Sequence, residues 1–137
     1  MKAVFLFIAS ALLLLGCAST GPVVLWQGDE PTQQVSEEQF NQALFNAKAI
    51  PGAEVEESSI QTSVKIPTGK DPKAFILFVF TKPASYAHPA AAKMTFLPGK
   101  ADGKNPDFRF LQVGDKPEFK KFVREILMAG MLTSAME

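Results

Sequence analysis

The sequence FILFVF occupies residues 75–80 and lies between Pro72 and Pro83. Six consecutive apolar residues bounded by prolines are typical of a strand that is buried on both faces. We therefore predict a central strand here, covered by other elements on each side.

Further strands are predicted before and after this segment. Residues 60–66 alternate between apolar and polar side chains, as in a half-buried strand. Residues 93–97 and 108–113 form two more short strands, which a loop rich in Pro and Gly connects. The apolar residues 22–26 suggest that another strand begins there. We expect Trp26, the only Trp, to plug the core or its edge rather than to serve as a ligand platform.

Two helices are predicted to flank these strands. Ser36 and Gln39 have capping-box spacing and apolar residues follow at helical intervals, which predicts a helix over residues 37–49. Asp115 and Glu118 repeat that spacing before a second, amphipathic helix. Its apolar stripe comprises Phe119, Phe122, Val123, Ile126 and Ala129.

The order of these elements indicates the fold class. Runs of strands between two helices, rather than strict strand and helix alternation, favour an α+β fold. We predict a single small α+β domain over residues 23–137, with a mainly antiparallel sheet of about four to five strands and two packed helices. The order of the strands in space does not follow from the sequence.

Charge is balanced overall but uneven along the chain. The 137 residues carry zero formal net charge, so no global field favours nucleic acid. Residues 17–57 contain seven acids and one base, whereas the chain from residue 58 onward contains twelve bases and seven acids. These charges either solvate their own faces or form a dipolar surface that steers a partner.

The N-terminus has the pattern of an export signal. Lys2 precedes an apolar stretch over residues 3–15, which is shorter than the ~20 residues needed to span a bilayer. The tetrapeptide Leu14-Leu15-Gly16-Cys17 that follows resembles the lipobox of bacterial lipoproteins, although Leu15 stands where a small residue is more usual. The resemblance implies that the Cys17 thiol receives a diacylglyceryl group, that cleavage occurs before Cys17, and that the new amine is acylated.

This resemblance predicts the organisation and location of the chain. Residues 1–16 would be the signal peptide, and residues 17–22 the lipidated N-terminus and tether, which holds the protein to the membrane. Ala18 stands where an inner-membrane lipoprotein of this kind carries Asp, so we expect the outer membrane, facing the periplasm. If cleavage instead follows Ala18, the domain would be secreted and soluble. Since Cys17 is the only cysteine, an intramolecular disulfide is excluded.

Candidate catalytic groups are few. His88 is the only histidine, and Ser85 lies near it, but no motif surrounds them and a solvated loop is the simpler interpretation. A cysteine nucleophile and a zinc site built from several His and Cys are both excluded by composition. We therefore expect no enzyme activity and no bound cofactor or metal.

Other patterns favour ordinary structural roles. Asp102, Asn105 and Asp107 have calcium-like spacing but lack the glycine and terminal glutamate of a calcium loop. The acids Glu54, Glu56 and Glu57 are typical of a charged sheet edge. Residues 69–70 lack the remainder of a phosphate loop. The basic residues of the last helix have no aromatic interleaving, so nucleic-acid binding is not supported; they are Lys120, Lys121 and Arg124.

Two hypotheses of function remain. The first is a lipid-anchored, non-enzymatic interaction or scaffold module that binds another envelope protein. The second is a small-ligand-binding or hydrolytic domain that uses a cleft beside residues 82–93. This loop is longer than a tight hairpin needs and is stiffened by Pro83 and Pro89. It also contains the only Tyr and His, so Tyr86 and His88 are the candidate partner contacts.

Overall fold

The computed structural model describes residue 26 and residues 30–98 and 106–135. Within these residues, six strands and two helices follow one another in the order β1, α1, β2, β3, β4, β5, β6, α2. The bounds are β1 Thr32–Val35, α1 Glu37–Lys48, β2 Glu54–Glu57, β3 Gln61–Pro67, β4 Phe75–Thr81, β5 Ala90–Phe96, β6 Asp107–Val113 and α2 Glu118–Ala135.

All six strands belong to one sheet with the order β1-β6-β5-β4-β3-β2. β1 pairs with β6 in parallel, and the other four pairings are antiparallel. The α+β class and the two helices are confirmed, but the expected four to five strands become six in a mixed sheet. The additional strands β1 (TQQV) and β2 (EVEE) are four residues long and mostly polar, so they carry no strong alternation signal.

The strand expected within residues 22–26 is not supported at its one described position. Trp26 has a φ of 62°, which is left-handed rather than extended backbone. Residues 22–25 lie outside the described residues, as do the predicted signal, Cys17 and the tether. The prediction that Trp26 belongs to the core is confirmed, since its ring centroid lies 5.2 Å from that of Phe78 and 6.0 Å from that of Phe80.

The central strand β4 is covered on both faces, as its composition predicts. Phe78 and Phe80 belong to a buried cluster with Phe40 of α1, on what we call the α1 face of the sheet. Val79 points the other way and packs with Met94 on the α2 face. Because successive side chains of a strand alternate between faces, a continuous apolar run supplies both layers.

Helix α1 begins as the capping box predicts. Ser36 Oγ accepts a hydrogen bond from the Gln39 amide at 3.1 Å, and Gln39 Oε1 accepts one from the Ser36 amide at 2.8 Å. These two bonds satisfy backbone donors that have no partner within the helix. Phe40, Ala43 and Ala47 then bury one side of α1 against the sheet.

Helix α2 begins differently from the prediction. Its first residue is Glu118, directly after Pro117, so Asp115 does not occupy the N-cap position and Glu118 is not the third residue of the helix. The Phe119 amide donates to the Lys116 carbonyl at 3.1 Å, which closes the first turn. Pro117 suits this position because its fixed φ is helical and its missing N–H would have no partner there.

The N-terminal half of α2 packs on small residues of β5. Phe119 and Phe122 are buried with Phe110, Ala90 and Ala92. β5 therefore begins at Ala90, three residues before the predicted start at residue 93. Alanine has little intrinsic preference for strands, so the run of three alanines gave no signal, but its small side chains leave room for the two phenylalanine rings.

The C-terminal half of α2 approaches the sheet closely at one glycine. Gly130 is buried, and a Cβ atom added there would lie 2.5 Å from Cε1 and Cζ of Phe108. Phe108 belongs to β6 near its beginning. The close contact therefore places the end of α2 over the end of the sheet at which β6 begins.

Candidate functional site

A groove opens on the α2 face of the sheet. α2 packs on β5 and β6, and the groove remains between α2 and the strands β3 and β4. The space between α2 and these strands has a volume of about 330 Å³. Apolar side chains dominate the lining, and polar side chains complete it; the lining residues are Ile60, Gln61, Ser63, Leu77, Val79, Thr81, Ser85, Tyr86, Met94, Phe122, Glu125, Ile126 and Ala129.

Tyr86 lies at the rim of this groove and is fixed there by α2. Its hydroxyl donates a hydrogen bond to Oε2 of Glu125. Nζ of Lys121 lies 4.6 Å from the centre of the Tyr86 ring and 3.9 Å from Oε1 of Glu125. The ring is thus held by a hydrogen bond at its tip and a cation at its face, while 45% of the residue remains exposed.

The environment of Tyr86 keeps its phenol protonated. Burial of the hydroxyl, followed by the hydrogen bond to Glu125 and the charge of that carboxylate, raises the pKa of Tyr86 to about 12. Each of these effects disfavours the phenolate. At neutral pH the side chain is therefore a neutral donor with an exposed ring, which suits recognition better than nucleophilic chemistry.

His88 lies on the same loop but is directed elsewhere. Its Nδ1 donates to the carbonyl of Thr81 at 2.9 Å, and its ring packs edge-on against Phe40 of α1 at 5.7 Å between centroids. Thr81 Oγ1 lies 3.3 Å from the same nitrogen. Tyr86 therefore reaches α2 whereas His88 reaches α1, and the structure does not bring these two candidate contacts together.

Ser85 lies at the rim of the groove but has a local role in the loop. Its Oγ accepts a hydrogen bond from the Ala87 amide at 3.3 Å, as in a serine turn. The Ser85 amide donates to the Lys82 carbonyl at 2.8 Å. Because the described contacts include no hydrogen bond between Ser85 Oγ and the His88 ring, the geometry does not form the nucleophile and base pair that the proximity of Ser85 and His88 in sequence raised as a hypothesis.

The acidic segment forms the charged sheet edge that was predicted for it. Glu54 and Glu56 are exposed on β2, and Glu57 Oε1 lies 2.8 Å from Nζ of Lys48 on α1. Lys82 Nζ lies 3.8 Å from Oε2 of Glu57. The hydrogen bond and charge of Lys48, followed by the charge of Lys82, lower the pKa of Glu57. This carboxylate thus connects α1 with Lys82, the residue that directly follows β4.

The remaining sequence candidates are placed as follows. Asp107 pairs with Arg109 at 3.3 Å, whereas Asp102 and Asn105 lie outside the described residues. Among the residues that are described, no three His, Cys, Asp or Glu side chains form a group that could hold a metal ion. Neither of the two helices in this part of the chain is long and apolar enough to cross a bilayer.

Comparison with known proteins adds no assignment. No family model, curated protein or solved structure matches this chain. Function therefore has to be inferred from the groove, its rim and the N-terminal sequence.

Most residues of the groove, among them Glu125, Ile126 and Ala129, are not identified from the sequence as site residues. The sequence places Ile126 and Ala129 in the apolar stripe that is predicted to pack on the sheet, and it puts Glu125 outside that stripe. The available signal was the position of Glu125 at the border of that stripe, three residues after Phe122. Such a position lies at the flank of a packed helix, where a side chain can reach a neighbouring loop.

Proposed function

We propose that this chain is a lipid-anchored protein of the bacterial cell envelope whose domain binds a protein partner and performs no catalysis. The anchor is inferred from the lipobox-like residues that end in Cys17. The outer membrane, with the domain in the periplasm, is inferred from Ala18. The binding role is inferred from the groove beside α2, whose rim presents Tyr86 in a fixed orientation.

The fixed orientation of Tyr86 is the observation that carries the binding proposal. An aromatic ring with a polar tip is the type of side chain that dominates the energetics of many interfaces. Its contacts with Glu125 and Lys121 hold the ring in place before a partner arrives, which reduces the entropy lost on binding. Ile60 lines the groove and is 50% exposed, so it adds apolar surface for the same partner.

The engagement of the reactive side chains supports binding over catalysis. The His88 ring is hydrogen-bonded to Thr81 and packs against Phe40, and the Ser85 hydroxyl is hydrogen-bonded within its own loop. The Tyr86 phenol has a raised pKa and is poorly suited to act as a nucleophile or a base at neutral pH. The groove therefore offers shape, apolar surface and a hydrogen-bonded rim.

A small apolar ligand is the second candidate for the groove. Its volume of about 330 Å³ lies at the lower end of the range of small-molecule pockets, and its floor is formed by Leu77, Val79 and Met94. A ligand of this kind would place its apolar part on the floor and a polar group near the rim. A hydrolytic role would additionally require a nucleophile within hydrogen-bond reach of His88, whereas Ser85 Oγ is bonded to the Ala87 amide.

The groove is tested by filling it. Ala129 is exposed and lines the groove, so Ala129→Trp should occupy the space without disturbing the buried core. A photo-cross-linking amino acid at Ile60 in intact cells should yield a specific protein adduct that disappears in Ala129→Trp. Asn41→Trp, on the exposed side of α1, is the matched control and should retain the adduct.

The outcomes separate the two candidates. An adduct unaffected by Ala129→Trp would contradict binding in the groove. Absence of any protein adduct, together with a small molecule that copurifies with the wild type and is lost from Ala129→Trp, would favour the ligand hypothesis over the protein partner.

The anchor is tested separately through Cys17. Cys17→Ser should prevent metabolic labelling with palmitate and leave an unprocessed precursor, because the hydroxyl cannot replace the thiol that carries the acyl chains. Palmitate label that persists in this variant would show that the anchor is assigned wrongly. Density fractionation of the labelled wild type should place it with the outer membrane.

A further inference from the structure

The last turns of α2 expose an apolar surface that the groove does not use. Residues 126–132 carry no charge. Ile126 and Gly130 face the sheet, whereas Met128, Met131 and Leu132 are 56%, 58% and 64% exposed. Their spacing of three and four residues places these three side chains on one outward face of the helix.

The same outward face is basic one to two turns earlier. Lys120 and Arg124 are exposed, and they precede Met128 at intervals of four residues along the helix. The outward side of α2 therefore changes from cationic to apolar along its length. A basic and apolar face of this kind is typical of a helix that lies at a lipid surface.

The position of the N-terminal segment indicates which end of the domain lies nearest the membrane. The Arg109 guanidinium donates to the Glu30 carbonyl at 3.2 Å, next to the β6 residue Phe108 that Gly130 contacts. Trp26, the first described residue, packs on the α1 face, and Glu30 lies at the end of the sheet over which α2 also ends. Eight residues lie between Cys17 and Trp26, so this segment has a reach of at most about 30 Å.

We propose that the C-terminal half of α2 docks on the phospholipid surface in which the Cys17 anchor is inserted. Met128, Met131 and Leu132 would enter the boundary of the acyl chains, and Lys120 and Arg124 would lie at the level of anionic headgroups. This proposal rests on the lipid anchor of the proposed function. It adds a second membrane contact, which orients the domain and leaves the Tyr86 rim free for a partner.

A lipid surface fits this face better than a second copy of the chain. Three partly exposed side chains offer far less than the ~800 Å² that each partner buries in a standard protein interface. In a symmetric contact between two α2 helices, Lys120 and Arg124 would meet the partner's apolar turns or its identical cations. Anionic phospholipids instead supply the complementary charge.

The experiment measures the depth of α2 in a membrane. Lipidated protein carrying Met131→Cys is purified, labelled with an environment-sensitive fluorophore and reconstituted into vesicles of phosphatidylethanolamine with a minority of phosphatidylglycerol. Because the Cys17 thiol carries the diacylglyceryl group as a thioether, the introduced cysteine is the one reactive thiol. Asn41→Cys on the exposed side of α1 is the matched control.

The proposal predicts opposite behaviour at the two positions. The probe at residue 131 should be quenched by spin-labelled acyl chains and protected from aqueous iodide, whereas the probe at residue 41 should be quenched by iodide alone. Adding Met128→Glu should abolish acyl-chain quenching at residue 131. Lys120→Gln and Arg124→Gln should each lower the ratio of docked to undocked helix about fivefold in anionic vesicles and leave it unchanged in neutral vesicles.

Three results would overturn the proposal, and they are distinguishable. If the protein floats with the vesicles while residue 131 is as accessible to iodide as residue 41, the anchor stands and the docking is wrong. If residue 131 forms disulfides between chains and shows no acyl-chain quenching, a second copy occupies this face. If the wild type does not float, the anchor fails and the docking fails with it.

Discussion

The hydroxyl of Tyr86 donates a hydrogen bond to Oε2 of Glu125, a residue 39 positions later in the chain. This bond joins the loop between β4 and β5 to the middle of α2 and closes one end of the groove. Lys121, one helical turn before Glu125, lies over the Tyr86 ring and completes the arrangement. A movement of the loop between β4 and β5 relative to α2 would therefore break the contacts of Tyr86 at the proposed binding surface.

We expect the titration of Tyr86 to report this coupling directly. Tyr86 is the only tyrosine, so the ultraviolet absorbance of the phenolate follows a single group. The wild type should titrate at a pKa of about 12, against the ordinary value of 10.0. Glu125→Gln should lower the pKa only part of the way, because burial of the hydroxyl is the larger cause. A wild-type pKa near 10.0 would contradict the contact.

The raised pKa of Tyr86 also predicts how the free energy of unfolding changes at alkaline pH. Because the folded state raises the pKa of Tyr86, it holds the proton more tightly than the unfolded chain does. The resulting stabilisation is fully present below pH 10 and is lost as pH rises towards about 12. Tyr86→Phe should remove this part of the pH dependence. Denaturant unfolding of both proteins across this range measures it, and parallel curves would argue against the linkage.

Gly130→Ala should destabilise the domain although alanine is the better helix former. The new Cβ would meet the Phe108 ring at 2.5 Å, and overpacking of this kind costs about 1–3 kcal/mol. The gain in helix propensity offsets about 1 kcal/mol of that cost. Denaturant unfolding of a soluble form that begins at Ala18 measures the difference.

Phe108→Leu provides the matched test of that explanation. Leucine lacks the ring atoms that the new methyl group at residue 130 would meet. Gly130→Ala should therefore be neutral or stabilising when it is made in the Phe108→Leu background. If the cost of Gly130→Ala is the same in both backgrounds, contact with Phe108 is not its cause.

Phe122→Ala should destabilise the domain by about 3–5 kcal/mol, a large part of the stability of a small domain. The ring is 5% exposed and packs against Phe110 and Phe119, so its removal leaves a cavity under α2. Met131→Ala, which truncates an exposed side chain on the same helix, is the control and should change stability little. A loss below about 1 kcal/mol for Phe122→Ala would mean that this helix is not held by its phenylalanines.

The parts of the fold that could be predicted are those that bury apolar surface locally. The run over residues 75–80 and the capping box at Ser36 each contain their own signal within a few residues. β1 and β2 could not be predicted, because polar four-residue strands are defined by the partners they pair with. The predicted β5 is too short for a related reason, since Ala90, Ala91 and Ala92 form a strand here through their pairing with β4 and β6.

The groove could be predicted only in part. Its loop was identified from length and from the presence of Tyr86, but its opposite wall depends on where α2 crosses the sheet. Tyr86 and His88 were proposed together because they are close in sequence, whereas their side chains reach different helices. A Tyr86→Ala, His88→Ala double variant would therefore combine a change at the rim with a loss of packing against Phe40. Tyr86→Ala alone is the cleaner probe of partner binding.

The ion pair between Lys48 and Glu57 predicts a dependence on acidic pH. Lys48 holds the pKa of Glu57 below its ordinary value of 4.5, so the folded state favours the ionised carboxylate. The sign of the linkage follows: the stabilisation is present above pH 4.5 and is lost as pH falls through the lowered pKa. Glu57→Gln should therefore be less stable than the wild type at neutral pH, with a difference that shrinks on acidification and in high salt. Since both side chains are partly exposed, the effect should be small, and NMR titration of the Glu57 carboxyl carbon is the more sensitive measurement. In that titration Lys48→Gln should move the pKa of Glu57 back towards 4.5, and an unchanged titration would exclude Lys48 as the cause.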